Sequence, residues 1–287
     1  MKKVWILAVM AIAFASCSQD QDVPSVSTKG DVALSLQGNA SAMINTKANV
    51  ELPASTQVGV YALETAPSSF DVVTTPLKNK LYVATGTAGA FTSTAPVYLS
   101  HLNTYKALAY APYQSSISDD KAVSFAHGTD VMYASPVDVA ITGTTAPWSA
   151  SAALSFVHKM SQVKFTLVSG AGTPDITGAT LKVAGFNESC TLNLADGTVT
   201  PVAGAGASIT EAAKAVCFVP NTSNMTLNVS VTTTDGRVYT ATLVKTFLAG
   251  NSYAYTITLN KNETKLDITG TVVDWVNVDG GDISTEG

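Results

Sequence analysis

The sequence predicts an all-β protein built as two tandem β-sandwich domains with Greek-key connections, and three observations lead there. Apolar residues recur at period two in short runs, as Val32, Leu34 and Leu36 do within residues 31–36. Clusters of Gly, Pro, Ser and Thr separate the runs, and no interval carries a convincing helix of ten or more residues. Finally, residues 154–168, LSFVHKMSQVKFTLV, bring two apolar strand-like runs together at His158, Lys159, Ser161 and Gln162. This stretch divides the chain into halves of about 130 residues, the usual size of one domain. The expected organisation is 1–17 leader, 18–30 flexible tether, 31–157 first sandwich and 158–287 second sandwich with tail.

The leader reads MKKVWILAVMAIAFASC: two lysines, twelve apolar residues, then small residues before Cys17. An apolar run of that length is too short to cross a bilayer, which takes about 20 residues, and it has the layout of an export signal. A buried N-terminal helix would need a polar face that residues 4–15 lack. Phe14-Ala15-Ser16-Cys17 resembles the bacterial lipobox, with Phe14 in place of the usual Leu, so Cys17 is the expected lipidation site. Two acyl chains suffice for stable attachment to the outer membrane. The following SQDQD is similar to signals that send some lipoproteins to the cell surface.

After the tether, residues 31–36 form the first expected strand and 38–47, GNASAMINTK, a loop. A second strand lies in QVGVYAL, and further strands fall at 81–84, 96–99, 105–110, 122–126 and 131–133. Residues 142–151, TGTTAPWSAS, are rich in turn formers and close this set. The second half repeats the style at 163–168, 179–184, 215–219, 226–232, 238–244, 253–259 and 266–275. Residues 208–215, SITEAAKA, suit one or two helical turns.

Charged residues make up 13% of the chain and the net charge is −5, with Arg237 the only arginine. Nucleic-acid recognition rests on clustered Lys and Arg, so nucleic acid is not an expected partner. His101, His127 and His158 stand far apart with no metal-ligand spacing, and no metal or cofactor is expected. His158 is expected to fix the junction by hydrogen bonding to nearby backbone. Asp274, Asp279 and Asp282 around Gly280-Gly281 miss the calcium-loop spacing, and Asp119-Asp120 reads as a turn tip. Neither a nucleophile elbow nor a phosphate loop occurs, so the protein is not expected to be an enzyme. Cys190 and Cys217 are expected to be unpaired, Cys217 as a small core residue within AVCFV.

Several segments together resemble the fimbrillin family, the type V pilins: TQVGVYAL, YKALAYAPY and DVMYASPV in the first half, LSFVHKMSQVKFTL at the crossing, and LKVAGF, FVPNT, GNSYAYTITLN and VVDWV in the second. Each is common alone; their order carries the resemblance. It implies two transthyretin-like sandwiches, lipoprotein export and assembly with other fimbrial subunits into an adhesive surface fibre, with a host or bacterial surface ligand as a further partner. It also implies maturation by a cut after a basic residue in the loop after the first strand. Lys47 is the basic residue of that loop, with Lys29 as runner-up. The first strand then leaves, and the C-terminal segment of another subunit fills its groove. Here that segment is 272–278, VVDWVNV, placing Val272, Val276 and Val278 on one face together with Asp274.

The alternative is a monomeric surface lipoprotein that binds glycan on aromatic rings. Its basis is the concentration of tyrosines in the first half: Tyr61, Tyr82, Tyr98, Tyr105, Tyr110, Tyr113 and Tyr133. Packing of those rings between sheets, where Tyr is at home with its hydroxyl at the rim, is the competing reading.

Overall fold

The computed structural model describes residues 31–41, 50–64, 77–204, 206–260 and 266–274. Those residues form strands, turns and bends, with no helix among them. The first half supplies β1 (Asp31–Ser41), β2 (Val50–Glu51), β3 (Gln57–Glu64), β4 (Leu77–Ala84), β5 (Phe91–Thr92), β6 (Tyr98–Ser100), β7 (Tyr105–Ala111), β8 (Val123–Ala126), β9 (Met132–Asp138), β10 (Ala140–Thr142) and β11 (Ser149–His158). The second supplies β12 (Met160–Ser169), β13 (Thr180–Phe186), β14 (Ser189–Leu192), β15 (Val199–Val202), β16 (Ala207–Glu211), β17 (Lys214–Pro220), β18 (Thr222–Thr232), β19 (Val238–Phe247), β20 (Asn251–Leu259) and β21 (Asp267–Asp274).

Period-two sequence becomes period-two burial. Along β11 the even residues Ala150, Ala152, Leu154 and Phe156 are buried and the odd residues Ser149, Ser151, Ala153 and Ser155 exposed, as alternation across a pleated strand requires. These residues join a core drawn from positions 34 to 156. Around it runs a ten-stranded sheet in the order β2-β1-β11-β9-β7-β3-β4-β5, with β6 on β1 and β10 on β11. A bridge between Gln37 and Ala90 brings the two ends of that path together. Sheet edges that meet in this way leave fewer open templates for association.

The second core draws on residues 163 to 266. It lies between the sheets β17-β12-β20-β21 and β16-β13-β18-β19. Here β12 runs parallel to β20 and antiparallel to β17. Gln162 lies opposite Ser252, and Ser252 opposite Val273. The chain therefore enters β12 and leaves β21 at the same end of this sheet.

A third core joins the halves. Strand β8, from before the crossing, pairs with β14, from after it, in the small sheet β15-β14-β8. Tyr61, Leu108, Tyr110 and Tyr133 pack beneath it against Val123, Phe125, Leu192 and Leu194. Only Lys159 separates β11 from β12, and its backbone N–H donates to Val131 O at 2.7 Å.

Several expectations need correction. Residues 38–41 continue β1 rather than opening a loop, because their backbone pairs with Leu154, Ser155, Phe156 and Val157. Residues 208–211 lie in β16, not in a helical turn: the segment is paired to β13, with Ile209 packed against the second core. Tertiary pairing here overrides the helix propensity of EAAK. The turn-rich segment 142–151 yields its two ends to β10 and β11. Strands β2, β5, β10, β14 and β15 escaped the sequence reading; β2 and β5 have two residues each, β10 three, and β14 and β15 four, too short to show a period. His158 has a side-chain partner that the sequence did not suggest, its Nδ1 lying 3.0 Å from Asp130 Oδ1.

Candidate functional site: the groove that holds the first strand

Strand β1 turns Leu34, Leu36, Gly38 and Ala40 inward and Ala33, Ser35 and Gln37 to solvent. Along one side, β11 pairs with eight of its residues, Leu34 to Ser41, in parallel. The other side is covered by short partners in turn: β6 at Asp31, Val32 and Ala33, Val97 O accepting from Leu34 N at 2.8 Å, Gly89 O accepting from Gly38 N at 2.9 Å beside the Gln37–Ala90 bridge, and β2 at Asn39 and Ala40. Its large inward side chains are two leucines, at about 1.5–3 kcal/mol each for full burial.

Two features of the groove are chemically specific. The buried Tyr82 hydroxyl accepts from Val97 N at 2.9 Å and donates to Leu34 O at 3.2 Å. Burial pushes its pKa up, so it remains a phenol able to donate. Opposite Gly38 the space is tight: a Cβ there would sit 3.0 Å from ring carbons of both Phe91 and Phe156 and 3.1 Å from Leu154 O, so these neighbours would have to give way. A glycine inside a strand often marks such a close approach. The two phenyl rings, 6.1 Å apart, are themselves held in the first core.

Of the residues expected to carry function, Cys17, Lys47, Val276 and Val278 lie outside the described residues, as does the runner-up Lys29. Val272 is in β21 opposite Tyr253, with its side chain half exposed. The structure does not bring it near β1. The residues that shape the groove, Gly38, Tyr82, Phe91 and Phe156, were missed. Leu-x-Leu-x-Gly at 34–38 was the available signal, obscured because Gly38-Asn39 also reads as a turn.

Most of the tyrosines are unavailable as stacking faces. Tyr61, Tyr82, Tyr105, Tyr110 and Tyr133 are buried, Tyr113 is half-buried and Tyr98 is exposed. Asp120, read as a turn tip, accepts the Tyr61 hydroxyl at 2.7 Å and pairs with Lys78 Nζ at 2.7 Å. Burial first, then Asp120, raises the Tyr61 pKa. Tyr133 OH donates to Leu194 O across the joint, and Lys159 Nζ sits 5.7 Å from its ring centre.

The cysteines of the second half are free and buried. Desolvation pushes Cys190 up to about 11 and Cys217 up to about 12, so both stay protonated and poorly nucleophilic. His127 Nδ1 lies 3.1 Å from Asn187 O and its Nε2 3.5 Å from Cys217 Sγ. The carbonyl fixes the proton on Nδ1, leaving Nε2 to accept from the thiol. This couples the joint to the second core and offers no activated nucleophile. His101 stacks on Trp148 at 3.7 Å. Among the described residues no cluster of three His, Cys, Asp or Glu side chains has metal-binding geometry.

The fimbrillin-like family profile matches residues 46–275, most of the chain. The chain belongs to the fimbrillin-like family. A protein of Bacteroides uniformis named as fimbrium subunit Fim1C is 26% identical to this fimbrillin-like chain, over 98% of it and 97% of the relative. Crystal structures named as cell adhesion proteins share the fold. One from Bacteroides uniformis has a TM-score of 0.65 at 22% identity, and one from Bacteroides ovatus 0.67 at 16%; each match covers 87% of this chain and 99% of the other.

Proposed function

We propose that this fimbrillin-like protein is a structural, non-enzymatic subunit of a cell-surface fimbrium that supports adhesion, assembling with other fimbrial subunits by strand exchange. In this reading Cys17 carries the lipid that holds the precursor at the outer membrane. The chain comprises two tandem transthyretin-like sandwiches, 31–157 and 158–287, and a cut after Lys47 frees β1. The C-terminal segment carrying Val272, Val276 and Val278 is the donor.

The observation that carries this reading is the apolar groove that β1 fills, with Leu34, Leu36, Gly38 and Ala40 turned inward. It has one long ladder, on β11, and on its other side it meets a series of short partners: β6, the Val97 carbonyl, Gly89 and Ala90, and β2. A strand so placed can be replaced by another of like pattern, with main-chain hydrogen bonds supplying affinity and alternate side chains supplying register. The glycan-binding alternative loses support from the burial of five of its seven tyrosines.

The test is the state of the protein sheared from the cell surface. Oligomer ladders in unheated detergent gels and a mature N-terminus at Ala48 are expected. A monomer beginning at Cys17 or Gly30 would overturn maturation at Lys47. Cys17→Ala is expected to abolish fatty-acid labelling, and undiminished palmitate incorporation would remove Cys17 as the anchor.

A further inference from the structure

The groove that β1 occupies reads more than hydrophobicity. Its inward positions favour the order apolar, apolar, glycine: Leu34 and Leu36 are buried, and a Cβ at position 38 would press on Phe91, Phe156 and the Leu154 carbonyl. The Tyr82 hydroxyl adds a donor at the carbonyl of residue 34, and it keeps its own support, since its bond from Val97 N does not involve β1. The groove thus accepts the five-residue pattern apolar-x-apolar-x-Gly, with the polar x residues facing solvent as Ser35 and Gln37 do.

Past the end of β21 the sequence continues Trp275-Val276-Asn277-Val278-Asp279-Gly280. Residues 276–280, VNVDG, match 34–38, LSLQG, position by position: valine for leucine twice, a polar residue at each outward place, glycine for glycine. Resting on the strand-exchange reading above, we infer that residues 276–280 of a second copy of this chain occupy the places of residues 34–38. Val276 lies on the Leu34 site with its carbonyl facing Tyr82, Val278 on the Leu36 site and Gly280 between the rings of Phe91 and Phe156. The cradle also fixes direction. Laid the other way, the segment would press the branched side chain of Val276 on Phe91, Phe156 and the Leu154 carbonyl, where even a Cβ is tight, so the donor runs parallel to β11, as β1 does. Shifting it by one residue would turn Asn277 and Asp279 inward, where an unpartnered polar group is costly. Asp282 then falls at the site of Ala40, so the match holds for five residues and ends there.

Register and polarity are read by cysteine cross-linking between full-length subunits in surface fibres. Ser35 pairs with Ser151 and Gln37 with Ala153, and all four side chains face solvent. Assembled from a mixture of Ser151→Cys and Asn277→Cys subunits, fibres are expected to give a disulfide-linked dimer on a denaturing gel. An Asp279→Cys subunit should link instead to Ala153→Cys. Links in the exchanged combinations, or none while ladders persist, would overturn the register. In parallel, Gly280→Val is expected to abolish ladders and Gly281→Val to leave them intact; the reverse would also overturn it. Deletion of residues 276–287 separates this inference from the reading beneath it. Ladders that survive the deletion rule the tail out as donor altogether, whereas ladders that vanish with it but survive Gly280→Val refute only the register.

Discussion

Strands β1 and β12 each open one half of the molecule, and each runs parallel to a strand from late in its own half, β11 for one and β20 for the other. Their second sides differ. β12 is paired along seven residues by β17, continuously, whereas β1 meets three residues of β6, two of β2 and, between them, the Val97 carbonyl and the Gly89–Ala90 turn. Inward, β12 presents Val163, Phe165 and Leu167, and β1 presents Leu34, Leu36, Gly38 and Ala40. The first strand of the second half is thus locked by bulk and by two continuous ladders, over residues 160–166 and 162–169. The first strand of the first half is held by one long ladder, a row of short partners and two leucines. A fold can share one architecture between its halves and still place its exchangeable element in only one of them.

The largest test of this contrast is Phe165→Ala, which empties the middle of β12 beside Tyr255 and is expected to cost about 3–5 kcal/mol in urea unfolding. Leu36→Ala should cost about 2–3 kcal/mol, near the lower end for a buried leucine. Equal losses would erase the distinction. Hydrogen exchange sharpens it, with the β1 amides expected to open well before those of β12.

Whether the halves respond independently depends on the third core. Phe125→Ala, beneath the β8–β14 pair, is expected to cost about 3 kcal/mol and to split one unfolding transition into two. A single transition in that variant would mean that the halves communicate by some other route. Tyr133→Phe removes only the hydroxyl bond to Leu194 O and should cost about 1 kcal/mol. The smallest effect concerns pH. Burial lowers the His127 pKa, against which the Asn187 carbonyl acts weakly. Its contribution is full above the ordinary value of 6.5 and declines as pH falls toward the lowered one, because the unfolded chain then binds a proton that the folded chain does not. The groups facing this ring are the Cys217 thiol, the Asn187 carbonyl and the Phe186 ring. His127→Gln should flatten that part of the urea-midpoint profile, and an unchanged slope would assign it to carboxylates instead.

Much of this fold was legible in alternation. Runs such as LSFVH and VKFTLV carry the period of their own burial, and the missing helices followed from turn formers spaced too closely to admit one. What was not legible has physical causes. A two-residue strand has no period, and the helix-favouring EAAK at 211–214 is split between the end of β16 and the start of β17, whose pairing with β13 and β12 overrides it. Asp120 looked like a turn tip because its partners, Tyr61 and Lys78, are 59 and 42 residues away. Gly38 sits in a dipeptide that suits a turn as well as a tight groove, and only the rings of Phe91 and Phe156, brought in from distant strands, decide between them.

Because β12 begins and β21 ends at the same end of their sheet, tension applied between those two points does not shear the sheet. It peels β21 from β20, starting at the Asp274–Asn251 pair and loading one backbone contact at a time. Shearing would load all eight pairs together. Under pull the second half therefore yields first at its last strand, lengthening by the slack of that strand while β12, β17 and β20 keep their core. A fibre built from such units would extend before it broke, with a spring at every subunit.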